Sequence, residues 1–318
     1  MNIINKYTDL ILCFSEMETD KSKSEANGSD EPDVFSFSNN DWWKKLLARM
    51  KKKNRASNKN EAKSPVAKES LFYNMNHKSR GLAIIFNHEK FDSDSLKQRN
   101  GTNVDADNLK NTLTRLGFSV AVFKDYLCHQ VENVLIEASK EDHSDFDCFV
   151  VAVLSHGEHG IIYAKDHAYK PEILWTKFSA DNCKTLAGKP KLFFIQACQG
   201  DKLDGGIKMT QTDSSSTYKI PVHADFLIAY STIPQYYSWR NTARGSWFVQ
   251  ALCSVLDEIG TDYDILTLLT LVNQRVAFDF ESYVPNDSRM HAQKQIPCIT
   301  FMLTRLLKFN IKTQPMPT

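Results

Sequence analysis

The chain contains no run of eighteen apolar residues, so no stretch of it reads as a membrane span. Leu10-Ile-Leu-Cys-Phe14 is short and flanked by Asp9 and Glu16, which makes it a poor signal peptide. There is no excess of charge of either sign: the formal net charge is +1, which gives no global reason to expect nucleic acid or an acidic membrane as partner. The seven cysteines are odd in number and without framework spacing, and most sit inside apolar stretches. That pattern fits reduced thiols in the cytosol. The Asn-x-Ser/Thr triplets at Asn27, Asn100 and Asn286 then carry no sugar. No Gly-x-Gly-x-x-Gly follows a strand, which removes a dinucleotide reading. His156 and His159 lie on a turn without a third ligand or matching carboxylate, so no metal and no other cofactor is expected.

What is present is an alternation of strands and helices. Largely apolar runs at 82–86, 118–123, 148–154, 192–195, 225–230 and 297–303 read as six strands. Between them Ala106, Leu109, Leu113 and Leu116 mark one helical face stopped by Gly117, and Val131, Val134, Leu135 and Ala138 mark a second. A short helix is expected at 173–178. Broad stripes from Trp247 to Ile259 and from Ile265 to Val276 give two more helices. This order predicts an α/β fold with a mostly parallel six-stranded sheet and helices on both faces. With 318 residues and 42% apolar content, the chain can bury one large core or two small ones.

Two segments break the pattern. Residues 1 to about 70 read as a flexible tail, with no apolar face in 17–33 and a basic run of Lys44, Lys45, Arg49, Lys51, Lys52, Lys53 and Arg55. That run is either a solvated linker or a nuclear address or docking patch. A nucleic-acid module built on it would lack a folded basic surface. The second segment, 205–218, has two glycines and then Thr210-Gln-Thr-Asp213-Ser214-Ser-Ser216, all small or polar. Such an exposed loop is where proteolytic cuts concentrate. Strands on both of its sides supply one sheet, so cutting it need not unfold the protein.

Two strands end on chemistry. The 192–195 run leads to Gln196-Ala-Cys198, and the 148–154 run leads to Ser155-His156-Gly157, whose histidine stands forty-two residues before that cysteine. Carboxyl ends of strands are where open α/β sheets place their reaction sites. If the two strands are neighbours, an imidazole meets a thiol, and a base beside a thiol makes a thiolate nucleophile available.

Gln196-Ala-Cys-Gln-Gly200, Leu154-Ser-His-Gly-Glu158, Arg99-Asn-Gly-Thr-Asn-Val-Asp105, Tyr236-Tyr-Ser-Trp-Arg-Asn241, Gly245-Ser-Trp-Phe248 and Lys294-Gln-Ile-Pro-Cys298 occur in this order. Together they resemble the caspases, and among these the executioner caspases of the insect drICE type, from about Tyr73 to Phe309. The resemblance implies an aspartate-specific cysteine endopeptidase, made as a zymogen, that cleaves cellular proteins at Asp-Glu-Val-Asp-like sites in apoptosis. It implies Cys198 as nucleophile, His156 as base and then acid, and the N–H groups of Cys198 and Gly157 as the oxyanion hole. A backbone carbonyl near Lys97 would orient the histidine. Arg99, Arg240 and Gln196 would line the pocket for the residue before the cut. Two guanidinium forks and an amide there suit a carboxylate and repel Lys or Arg. Tyr237, Ser238 and Trp239 would continue the substrate groove, and Trp247 with Asn241 would receive the fourth residue before the cut.

The same resemblance implies a large subunit at 71–213, a small subunit at 214–318 in one continuous fold with it, and a homodimer through the last strand. Cuts are expected after Asp213 by an upstream initiator caspase and after Asp33 by the active enzyme itself. Some insect members expose an alanine that inhibitor-of-apoptosis proteins recognise. Here Asp20, Asp30, Asp33 and Asp41 are followed by Lys, Glu, Val and Trp. Gln199 stands where vertebrate members commonly have arginine. The expected compartment is the cytoplasm, with the nucleus as a second if the basic run is an address. The competing reading is a catalytically silent, caspase-like scaffold acting by binding. It would be expected to lose Cys198, His156 or the pocket arginines, and all are present.

Overall fold

The computed structural model describes residues 65–204 and 224–312. The tail to residue 64, its basic run, Asp33, the 205–218 loop and Asp213 lie outside the described residues.

Six strands form the central sheet: β1 (Leu82–Asn87), β2 (Ser119–Lys124), β3 (Phe149–Leu154), β7 (Lys191–Gln196), β8 (Phe226–Tyr230) and β11 (Cys298–Phe301). Their order is β11-β8-β7-β3-β1-β2, with every pair parallel except β11 with β8. β1, β3 and β7 are buried at every position, which explains their unbroken apolar runs. Alternate strand residues feed two cores. Ala83, Ile85, Val150, Ala152, Leu192 and Phe194 face α1 (Thr102–Arg115), α3 (Trp247–Ile259) and α4 (Ile265–Asp279). Leu82, Ile84, Phe149, Val151, Phe193 and Ile195 face α2 (Cys128–Lys140) on the other side. Helices therefore cover both faces, as the periodicity predicts.

Pairing of β7 with β8 carries the sheet across residues 205–223, so segments before and after that loop share one core. A buried knot closes one margin. Asp147 receives Arg80 Nη1 at 2.9 Å, Lys312 Nζ at 2.8 Å and His77 Nδ1 at 3.1 Å, tying residues near both ends of the described chain to the start of β3.

Three expectations are corrected. The helix at 173–178 is two 3-10 turns, Pro171–Leu174 and Thr176–Phe178. Leu174 and Phe178 are buried and sit at helical spacing, but Trp175 (φ −120°) interrupts the helix between them. The last strand runs over Cys298–Phe301 rather than 297–303: Pro297 has no N–H for the ladder, and beyond Phe301 only Met302 still exchanges backbone hydrogen bonds with Asp225 and Phe226. The 225–230 strand starts at Phe226: Asp225 has φ 68° and spends its carboxylate on Tyr73 Oη (2.7 Å) and Thr304 Oγ1 (2.6 Å). Two small antiparallel units were not anticipated. β4 (Gly157–Glu158), β5 (Ile161–Tyr163) and β6 (Ala168–Tyr169) form one, and β9 (Arg240–Asn241) with β10 (Gly245–Ser246) the other.

Candidate active site

β3 and β7 are parallel neighbours in register Leu154↔Gln196, so His156 and Cys198 each stand two residues beyond that pair. Ser155 N–H donates to the Gln196 carbonyl at 3.0 Å and keeps the two chains together past the ladder. Both side chains open into one cavity of about 790 Å³. Gly157 lies against the nucleophile's backbone: a Cβ there would sit 2.6 Å from the Cys198 carbonyl oxygen, so no larger residue fits without a shift.

The His156 Nε2 meets the Lys97 carbonyl at 2.7 Å. A carbonyl only accepts, so Nε2 carries the proton and Nδ1 is left to take one. The Phe91 ring, 5.0 Å away between centroids, packs against the imidazole. Burial pushes the His156 pKa below the ordinary histidine value, Arg99 and Arg240 add to this, and the Lys97 carbonyl opposes it. The Cys198 thiol is pushed up by burial, against the pull of the Ser238 N–H, 3.3 Å from Sγ, and of both arginines. These shifts favour a neutral imidazole and thiol at rest, with the thiolate formed by proton transfer as it attacks.

Arg99 ends the loop after β1 and is completely buried. Its Nη1 donates to the His88 carbonyl (3.0 Å) and to Thr102 Oγ1 (2.6 Å), while Nε and Nη2 have no partner. Thr102 is itself fixed by Asn87 Oδ1 at 2.7 Å. Arg240, on β9, donates from Nε to the Asn100 carbonyl at 2.9 Å, which brings it beside Arg99. Gln196 Nε2 donates to Ser238 Oγ at 2.7 Å, so the amide expected to face an incoming carboxylate ties β7 to the 237–240 loop.

Behind the two cations sits Asp105, a residue whose importance the sequence reading missed. It is buried in the first turn of α1 and accepts both the N–H and the hydroxyl of Ser246 at 2.8 Å. Burial pushes its pKa up to about 6, while Ser246 and the two arginines pull it down. Arg99 is pushed below its ordinary value by burial and by Arg240, and is held up by Asp105 and Cys198. Asp105 is thus the carboxylate whose charge acts on both guanidiniums, while its own oxygens are taken by Ser246. A second carboxylate, arriving at the orphaned Arg99 donors, would complete the charge balance. The signal available was position alone, since Asp105 closes the Arg99–Asp105 motif without looking different from any first-turn acid.

Tyr237, Ser238 and Trp239 line the cavity; Trp247 and Asn241 do not. Trp247 lies behind Trp239, stacked at 5.7 Å between centroids, and Phe280 stacks on Trp247 at 5.5 Å. Asn241 spends its Oδ1 on the N–H groups of Ala243 and Arg244, both at 2.9 Å. Leu96, Tyr163 and Met290 also line the cavity without any motif having pointed to them, and so does Glu158, which closes the Leu154–Glu158 motif but was given no role.

A family model described as the caspase domain matches residues 80–308. The chain is 61% identical over 255 residues to Caspase-1 of Spodoptera frugiperda, covering 79% of this chain and 85% of that protein. It is 58% identical to Caspase drICE of Drosophila melanogaster, covering 80% and 77%, and 43% identical to Caspase-7 of Gallus gallus, covering 92% and 99%. The crystal structure of Caspase-1 from Spodoptera frugiperda matches with a TM-score of 0.75 at 61% identity, over 79% of this chain and 100% of that one.

Proposed function

Because this chain belongs to the caspase family, we infer that it is an executioner-type cysteine endopeptidase that cleaves proteins after aspartate in apoptosis, with Cys198 and His156 performing the chemistry. The observation that carries the residue assignment is the pair of orphaned Arg99 donors beside Arg240, opening on the cavity that holds the thiol.

A substrate aspartate whose side-chain carboxylate sits between the arginines sets its backbone carbonyl carbon at Cys198. Sγ attacks that carbon while its proton passes to His156 Nδ1. The carbonyl electrons become an oxyanion, held by the N–H groups of Cys198 and Gly157. The intermediate collapses, the C–N bond breaks, and the leaving amine takes the proton from His156. A water molecule, giving a proton to the same nitrogen, then hydrolyses the thioester and restores the thiol. An uncharged side chain in the pocket leaves buried cations unpaired, which supports discrimination of about 10⁴-fold or more.

The finer reading follows from this. Residues 71–213 act as the large subunit and 214–318 as the small one, after a tail of about 70 residues. An initiator caspase cuts after Asp213, and two copies pair along β11, an edge strand on which Phe301 is half exposed. The enzyme works in the cytoplasm, with the nucleus open to it if the 44–55 run is an address. Inhibitor-of-apoptosis proteins would have to bind without the alanine that other insect members present.

The test is steady-state kinetics of the loop-cut protein on peptides ending in Asp, Glu, Asn and Lys, alongside Cys198→Ala. Asp should be preferred by orders of magnitude, and the variant should fold normally and cleave nothing. Turnover by a clean Cys198→Ala preparation would remove the nucleophile assignment, and silence of the wild type would point to a scaffold.

A further inference from the structure

The cavity around Cys198 does not end at the arginines. Sheet order sets what borders it: the 237–240 loop follows β8 on one flank of β7, while the loops after β3 and β1 occupy the other flank. Those loops contribute Leu96, Lys97, Glu158, His159 and Tyr163 to the lining. A peptide that runs along Ser238–Arg240 and places its carbonyl at Cys198 must leave past His156 into this second half.

Glu158 supplies the only carboxylate that these two loops bring to the lining. It is exposed, and among the described residues it has no ion-pair partner, although Lys97 and His159 line the same half. It is also held in place. Its Oε1 accepts from Tyr163 Oη at 2.8 Å. Tyr163 in turn donates its N–H to the His156 carbonyl at 3.0 Å and accepts Ser155 Oγ at its own carbonyl. The β4–β5 hairpin therefore couples the position of this carboxylate to the backbone of the base. His156 protonates the amine of the first residue after the cut, and Glu158 lines the same cavity two positions beyond His156.

We propose that this half of the cavity is a leaving-side specificity site in which Glu158, held by Tyr163, favours lysine or arginine at the second residue after the cut. The inference rests on the active-site reading above. The carboxylate is in contact with water, so the selection is modest: about fivefold for a basic over a neutral side chain, and the reverse for an acidic one. Salt weakens it.

Three internally quenched peptides test this, identical through Asp-Glu-Val-Asp-Gly and differing in Lys, Ala or Glu at the next position. The loop-cut wild type should rank them Lys above Ala above Glu in kcat/KM, with the spread shrinking as sodium chloride is raised. Only the Lys-to-Glu ratio within each protein is compared, so a general loss of activity in a variant cancels. Glu158→Gln should bring the ratio close to one, Glu158→Lys should invert it, and Tyr163→Phe should reduce it. Equal rates on all three peptides in the wild type, or a Lys preference that survives Glu158→Gln, would overturn the proposal. Failure to cut any of the three would instead overturn the active-site assignment on which it rests.

Discussion

Removing one of the two pocket cations, by Arg240→Ala, tests the charge argument at its centre. In the free protein Arg240 weakens Arg99's hold on its charge, Asp105 is the nearby carboxylate that supports both cations, and Arg99 keeps two unpartnered donors. A bound aspartate therefore gains charge-assisted hydrogen bonds that water no longer supplies. Truncating one partner of a buried, hydrogen-bonded ion pair costs about 3–5 kcal/mol. Arg240 is only partly buried, and its loss relieves its repulsion of Arg99, so about 3 kcal/mol is the better figure. At about 1.4 kcal/mol per decade, kcat/KM on an Asp peptide should fall by roughly a hundredfold. An Asn peptide never paired with that charge, so its rate should fall by about tenfold or less, and the Asp-to-Asn ratio should drop by at least about a decade. Thermal unfolding should move little, because the lost bond to the Asn100 carbonyl is offset by the relieved repulsion. Steady-state kinetics on both peptides, with a melting curve, decide the matter. An unchanged Asp-to-Asn ratio would refute the reasoning even if both rates fell.

Gly157→Ala puts a Cβ 2.6 Å from the Cys198 carbonyl oxygen, so kcat should fall by about a hundredfold with a smaller change in KM, read from initial rates. The acid limb of kcat/KM should fall below the ordinary histidine value, since the base is lost only as pH falls through the depressed His156 pKa. Phe91→Ala lets water reach the ring and should move that limb upward, measured as a pH–rate profile. His88 and His143 are buried and held down to about 4, so the unfolded chain binds more protons than the folded one between about pH 6.5 and 4. Stability is full above that window and lost as pH falls through it; urea midpoints at several pH values should show the decline, smaller in His143→Phe. A Cys198→Ala zymogen given an initiator caspase should be cut after Asp213 first, and given mature wild-type enzyme should lose its tail after Asp33, with fragments sized by mass spectrometry.

The sheet was legible because β1, β3 and β7 are buried on both faces and so carry unbroken apolar runs. The meeting of His156 and Cys198 was legible for the same reason, as both extend such runs by two residues. What escaped was built from short or polar pieces. β4–β6 and β9–β10 have two or three residues each, too few for any period to show. The 173–178 segment misled because buried residues four apart satisfy a helical pattern that two 3-10 turns also satisfy. Asp105 looked like an ordinary first-turn acid until the fold closed Ser246 and the arginines around it. Trp247 and Asn241 carried motif identity, and the fold sets them outside the main cavity: one backs Trp239, and the other caps its own turn through Oδ1.

The β7–β8 pairing also changes what folding means once the 205–223 connection is severed. While the chain is intact, β8 meets β7 at an effective concentration fixed by the tether, and unfolding is a first-order event that does not depend on dilution. After a cut, the same strands sit in the same register, but each fragment leaves half of a shared core exposed if they separate. Reassembly is then second order, and the melting temperature falls as the sample is diluted. Maturation therefore exchanges a molecule that can refold from its own chain for one whose two parts must find each other again. Where the exposed halves of the core aggregate faster than they rejoin, a single thermal excursion inactivates the cut enzyme for good.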